Sequence, residues 1–338
     1  MKKIKHLIFE GLSYGEKRGI GQNRKEKSEI KKILLIRQDN RIGNIIFITS
    51  LIELIKSEFG IKVDVVLGEK FNTILDSNPN IDNILIYSQK KFLKNPLYFF
   101  KFIRKLKNTE YDLIIDCKNA FSFNNALITL LANGKIKIGF KNIYSERYLD
   151  YAVDTEKITG VHESEYLAVP LKEYFGITAK TPAMRYFLKE QLEKPLKKDG
   201  VKEIGIHIGG RGGKSLPISF IKSLLDLNDD KTKIKIIYGP DEVEKLKLLN
   251  LEDKIESIYP QALEDLAQLI DSLELLITPD TGPLHIASAL NQNIVAVFTE
   301  DSVLRYGPRT EKKSLCINLS KKSEEEAKLE IVEFIESI

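Results

Sequence analysis

A chain of 338 residues, 43% hydrophobic and 30% charged, exceeds what one hydrophobic core serves, so two globular domains are expected. No apolar run approaches the ~20 residues of a membrane span, and Cys117 and Cys316 lack metal or redox spacing, which suits free thiols in a reducing compartment. The net charge of +4 is uneven: through Lys32 there are ten Lys/Arg against four Glu, a net +6, while the rest is near neutral, which argues against a nucleic-acid-binding body.

Residues 1–30 read as a basic extension. Met1–Phe9 mixes basic and apolar residues, but Glu10 interrupts it and no cleavage site follows, so a secretory signal is not expected. Ile4, Leu7, Ile8 and Phe9 with Lys2, Lys3 and Lys5 suit one face of a short helix on an anionic membrane. Gly11, Gly15, Gly19 and Gly21 suit a disordered tail instead.

The first domain, 31–180, opens with a buried-type strand at Ile33–Ile36, a polar loop at Arg37–Asn44 and a helix at Ile45–Phe59. Val63–Leu67, Ile84–Tyr87, Leu113–Asp116 and Ile136–Phe140 read as further strands with helices between. That alternation predicts a doubly wound parallel sheet with ligands at the carboxyl ends of the strands, where the Arg37–Asn44 loop sits. Gln89–Asn108 carries seven Lys/Arg and no acid, interleaved with aromatic and aliphatic residues. It suits a core-facing helix with a solvated basic face, or a face for phosphorylated lipid. Val161–Gly176 reads as an amphipathic helix ending at glycine, with a structural His162, and Lys189–Gly200 as a surface linker.

The second domain, 181–322, begins with the strand Glu203–Ile208 and a turn, Gly209–Pro217, that includes Lys214. Glycines and cations after a strand can cradle phosphates, although the spacing is neither a Walker A loop nor G-x-G-x-x-G. Ile234–Tyr238 is the next strand, and Gly239-Pro240-Asp241-Glu242 opens a helix. After a helix at Ala262–Asp271, the strand Leu273–Thr278 feeds Pro279-Asp280-Thr281-Gly282-Pro283, a further helix stopped by a left-handed Asn291, and the strand Ile294–Phe298. Asp280 or Thr281 can cap that helix. Its N-terminus favours an anion, and His285 lies one turn in. A charged amphipathic helix, 323–338, closes the chain.

The string PDTGPLHIASALNQNIVAVF resembles the D-[TS]-G-x-x-H-x-A-A-A-L signature of glycosyltransferase family 9, the lipopolysaccharide heptosyltransferases. The resemblance implies a GT-B fold: two Rossmann-like domains facing a cleft, binding an ADP-sugar. It places Asp280 on the donor sugar and Thr281, Gly282 and His285 at the diphosphate. Lys214 matches the family's phosphate lysine, with Leu216 replacing the usual Trp. Glu242 matches the ribose-binding glutamate, and Arg305-Tyr306-Gly307-Pro308 resembles the terminal motif. One departure touches the chemistry: the family's Gly-Asp, its proposed general base, is Gly43-Asn44 here, and an amide cannot accept a proton at neutral pH. Asp39, on the same loop, and Asp116, at a strand end, are the substitutes, with Asn44 orienting the acceptor.

What the resemblance implies is an inverting, metal-independent transferase moving a sugar, heptose from ADP-heptose, to the lipopolysaccharide core or another lipid-linked glycan. It would need no cofactor beyond the nucleotide-sugar and no nucleic acid. It would be cytoplasmic, with attachment to an anionic membrane surface as a further expectation. A nucleotide-sugar epimerase and a non-catalytic nucleotide- or glycolipid-binding protein are the competing readings.

Overall fold

A computed structural model describes residues 2–14, 25–190, 200–210, 213–251 and 255–338. The chain divides into two compact units, Met1–Pro182 and Ala183–Ile338. Part of the leading extension, most of Lys189–Gly200 and two positions of the glycine-rich turn lie outside the described residues.

The first unit opens with helix α1 (Lys2–Leu12), then β1 (Ile33–Arg37), α2 (Ile42–Phe59), β2 (Val63–Gly68) and β3 (Ile81–Tyr87). It continues with α3 (Gln89–Lys94), α4 (Pro96–Asn108), β4 (Tyr111–Asp116) and α5 (Phe123–Leu131). It ends with β5 (Gly134–Phe140), α6 (Ser145–Tyr148), β6 (Tyr151–Val153) and α7 (Glu163–Phe175). All pairings are parallel, in the order β3-β2-β1-β4-β5-β6. Strands covered on both faces read as near-continuous apolar runs; all five residues of β1 are buried, Ile33–Ile36 apolar and Arg37 at its carboxyl end.

In the second unit β7 (Lys202–His207), α8 (Ile218–Leu225), β8 (Thr232–Ile237), α9 (Val243–Leu249) and β9 (Glu256–Ile258) come first. Then follow α10 (Leu263–Ser272), β10 (Leu275–Pro279), α11 (Gly282–Ala289), β11 (Ile294–Phe298), α12 (Val303–Tyr306), β12 (Ser314–Asn318) and α13 (Glu324–Ser337). The order β9-β8-β7-β10-β11-β12 repeats that of the first sheet. Both are the doubly wound 3-2-1-4-5-6 arrangement, whose ligand crevice lies where the chain reverses direction across the sheet. That point falls between β1 and β4 in one unit and between β7 and β10 in the other.

Several boundaries differ from the sequence expectation. Helix α2 begins at Ile42, after Arg41 at its N-cap, so Gly43 and Asn44 belong to its first turn and not to the preceding loop. Gln89–Asn108 is two helices, because Asn95 accepts from Tyr98 N and Pro96 starts a new first turn. His162 is the N-cap of α7, its ring accepting from Ser164 N, the structural role expected. In the second unit Asn291 has φ 58°, the left-handed stop predicted for it. Phe9 of α1 is fully buried among Ala126, Tyr144, Tyr148 and Leu149, whereas Leu7 and Ile8 of the supposed single face are exposed.

Candidate active site

Two loops meet at the carboxyl edge of the second sheet, one after β7 and one after β10. Lys214 Nζ lies 2.5 Å from Asp280 Oδ2 and 3.5 Å from Glu300 Oε1, and 5.7 Å above the Tyr306 ring. Burial alone would lower the lysine's pKa, but the hydrogen bond and charge of Asp280, joined by Glu300, outweigh it and raise it. The ammonium is therefore held charged, facing a carboxylate, where a diphosphate could be bound.

His285, in the first turns of α11, places Nε2 3.8 Å from Asp280 Oδ1. Burial and then the Lys214 charge pull its pKa down to about 3. The imidazole is therefore neutral at pH 7, and the contact is dipolar, not an ion pair. Thr281 is the N-cap of α11 without a side-chain cap bond; its hydroxyl donates to Pro279 O at 3.3 Å. Pro283 has no N–H and Leu284 N donates to Thr281 O at 3.1 Å, so it is the Gly282 N–H, together with the helix dipole, that gives the loop its anion-binding character. Glu242 closes the other side. Its Oε2 accepts from Gly239 N at 3.0 Å, and a Cβ on Gly209 would lie 2.9 Å from both Glu242 Oε1 and His207 Nε2, so a larger residue there would push these two side chains aside. Glu244, the neighbouring acid, pairs with Lys247 on the surface instead.

The structure thus gathers Lys214, Glu242, Asp280, Thr281, Gly282 and His285 on one edge of one unit, and adds residues the sequence reading missed. His207, the last residue of β7, has Nδ1 3.4 Å from Thr278 Oγ1 and 3.5 Å from Thr281 Oγ1. It keeps some accessible surface, but burial of its ring, followed by the charge of Lys245, draws its pKa down to about 4. Its position at a strand's carboxyl end was the available signal. Glu300 and Lys245 carried no comparable one.

The equivalent edge of the first unit holds a second lysine–aspartate pair. Asp39 Oδ2 accepts from Lys118 Nζ at 2.9 Å and from Asn44 Nδ2 at 2.6 Å, while Oδ1 accepts from Asn40 N at 2.8 Å. Burial would raise its pKa, yet Lys118, Arg37 and Asn44 together hold it below the usual carboxylate value. Arg37 is anchored in turn on the Cys117 carbonyl. Lys118 was missed because nothing local links it to residue 39. Asp116 does not join this group as an open carboxylate. It is buried, accepting from Asn125 Nδ2 at 2.8 Å, Lys118 N at 3.1 Å and the Tyr148 hydroxyl at 3.4 Å. Burial outweighs those bonds and pushes its pKa up to about 6, and Phe9 packs edge-on against Tyr148.

Residues 99–334 match glycosyltransferase family 9 (heptosyltransferase). The chain belongs to this family. Lipopolysaccharide heptosyltransferase 1 of Campylobacter coli is 25% identical over 300 residues, covering 79% of this chain and 83% of that one. Among solved structures, Escherichia coli heptosyltransferase WaaC with ADP superposes with a TM-score of 0.74 at 19% identity, over 89% of this chain and 99% of that one. The family 9 glycosyltransferase of Veillonella parvula gives 0.76 at 18% identity, over 91% and 92%. This family 9 member is therefore a glycosyltransferase with the two-unit GT-B fold.

Proposed function

We propose that the chain transfers a sugar, heptose from ADP-heptose, to a hydroxyl of the lipopolysaccharide core or a related lipid-linked glycan, inverting the anomeric centre. The observation that carries the reading is the junction of two loops at the second switch point, where Lys214 and Asp280 meet beside the start of α11. WaaC, a structure of the same fold, has been solved with ADP and with ADP-2-deoxy-2-fluoro heptose. Lys214, the α11 N-terminus and neutral His285 would stabilise the diphosphate as the bond from the anomeric carbon to the diphosphate oxygen breaks. Glu242 would hold the ribose and Asp280 the sugar.

In the same step the acceptor oxygen bonds to the anomeric carbon and gives its proton to a base. Asp39 is that base in this proposal, ionised at neutral pH, with Asn44 aiming its carboxylate through the 2.6 Å hydrogen bond. Asp116, sealed beneath Tyr148, is the less suited of the two. We also place the acceptor at an anionic membrane surface, supported by the exposed Lys90, Lys91, Lys94, Lys101, Arg104, Lys105 and Lys107 with Leu97 and Phe100 on α3 and α4.

The test is incubation with ADP-heptose with and without deep-truncated lipopolysaccharide, following ADP and sugar products. Acceptor-dependent ADP release with a lengthened glycan is expected. Free sugar without acceptor would identify an epimerase-like reaction, and tight ADP binding without turnover a binding protein.

A further inference from the structure

The glycine-rich loop that presents Lys214 leaves β7 and returns to α8, and one cation from another element holds both of its ends. Lys245, in the middle of α9, places Nζ 3.1 Å from the Ile208 carbonyl where the loop begins. It lies 2.5 Å from both the Ser215 hydroxyl and the Leu216 carbonyl where the loop ends. An ammonium has three protons to donate, and these three oxygens accept them.

We propose that Lys245 is a positioning residue for sugar transfer: it clasps the two ends of the 208–216 loop and so fixes Lys214 against Asp280. The assignment rests on the donor-site reading above, and in it Lys245 acts through the loop, its ammonium taken up by three protein oxygens. Three features carry it beyond an ordinary buried contact. First, Lys214 directly precedes Ser215, so any displacement of the clasp moves the phosphate-facing ammonium. Second, Gly210 already passes so close to Lys214 and Ser215 that a Cβ there would lie 2.7 Å from Ser215 N. The backbone at Gly210 is therefore packed directly against the Lys214–Ser215 end that Lys245 holds. Third, α9 directly follows Glu242, whose carboxylate lies beside Gly209. Lys245 therefore ties the loop of the phosphate lysine to the turn of the ribose glutamate. Lys245 is half-buried, and this partial burial lowers its pKa, partly offset by the charge of Glu242. Carbonyl and hydroxyl partners compensate that loss only while the loop is closed.

The clasp also adds a fixed positive charge behind the site, which is felt at His207, where it reinforces the neutral form. Arginine could keep the charge and part of the bonding, although its planar fork differs from a three-way ammonium.

The experiment measures ADP affinity by titration calorimetry in Lys245→Met, Lys245→Arg, Lys214→Met and the Lys245→Met/Lys214→Met double variant, with thermal melting of each. Lys214→Met should weaken ADP binding, and no effect would remove the donor-site reading itself. With that effect in hand, Lys245→Met should weaken ADP by about threefold to a hundredfold, Lys245→Arg should recover part of the loss, and the double variant should bind no worse than Lys214→Met. Unchanged ADP affinity in Lys245→Met overturns the proposal. So does a full additional loss in the double variant, which would mean that Lys245 acts independently of Lys214. Should Lys245→Met not fold, Ser215→Ala removes one acceptor of the clasp, and its ADP affinity decides the same question: a loss that vanishes on the Lys214→Met background supports the clasp, and any other result overturns it.

Discussion

At the scale of single residues, the base is the sharpest question, because the motif resemblance puts Asn44 where the family's proposed base is an aspartate. Asp39→Asn preserves shape and removes basicity. It should lower kcat by about 10²–10⁴-fold with ADP affinity unchanged, since the proposed donor contacts belong to the second unit; wild-type turnover would exclude Asp39. Lys118 offers an independent check. Its charge keeps the Asp39 carboxylate ionised, so Lys118→Met should raise that pKa and shift the acid limb of the kcat–pH profile upward. An acid limb that stays in place would separate Lys118 from the base. Asn44→Asp would set two carboxylates within hydrogen-bonding distance, where one must hold a proton. It too should move the acid limb upward, and a large gain in turnover at neutral pH would show position 44 to be the better base. These pairings were only half legible in sequence. Asp39 and Asn44 share a loop and a helix turn, but the link from Lys118 to Asp39 spans 79 residues and exists only because β1 and β4 are neighbours in the sheet.

At the scale of elements, legibility followed burial. The central strands β1, β4, β10 and β11 carry the apolar runs Ile33–Ile36, Leu113–Ile115, Leu275–Ile277 and Ile294–Phe298. The outer strands β6, β9 and β12 are short or only partly buried, and their mixed composition carries no strand signal. Helix α1 shows the opposite case, an apolar cluster that was visible but whose orientation was not. Its Phe9 packs with Phe121, Phe123, Tyr144 and Tyr148, and Glu10 accepts from the Tyr144 hydroxyl at 2.8 Å. Phe9→Ala should therefore cost about 3–5 kcal/mol of stability, read from denaturant midpoints; a change below about 0.5 kcal/mol would mean that the helix is not docked in solution. Leu7, 67% exposed, should tolerate Ser within about 0.5 kcal/mol. The proposed membrane attachment has its own readout: sedimentation with anionic vesicles should be reduced in Lys101→Glu/Lys105→Glu and by added salt, whose screening length is about 8 Å at physiological strength. Equal binding by both proteins at both salt concentrations would remove the basic face of α4 from consideration.

At the scale of the whole molecule, two units with the same strand order carry opposite titration behaviour. In the second unit His285 and His207 are held neutral, with pKa values drawn from 6.5 to about 3 and about 4. As pH falls below 6.5 the unfolded chain binds those protons first, so the unit loses stability from pH 6.5 down to the folded values, about 4 for His207 and about 3 for His285. In the first unit the Asp116 pKa is raised from 3.8 to about 6. There the folded state binds the proton first, so the same fall in pH from about 6 to about 4 adds stability. The lowered pKa of Asp39 opposes this only below about pH 4, where its carboxylate begins to protonate. Calorimetric melting at pH 7 and pH 4.5 should therefore show the second unit's transition moving down relative to the first. The two can be told apart by ligand: ADP at a hundredfold excess over Kd stabilises the fold it binds by about 2.7 kcal/mol and should shift only the second unit's transition. His285→Gln should flatten that unit's acid loss, and Asp116→Asn should abolish the first unit's gain. A single transition that moves the same way in wild type and both variants would show that these buried groups do not set the protein's response to pH.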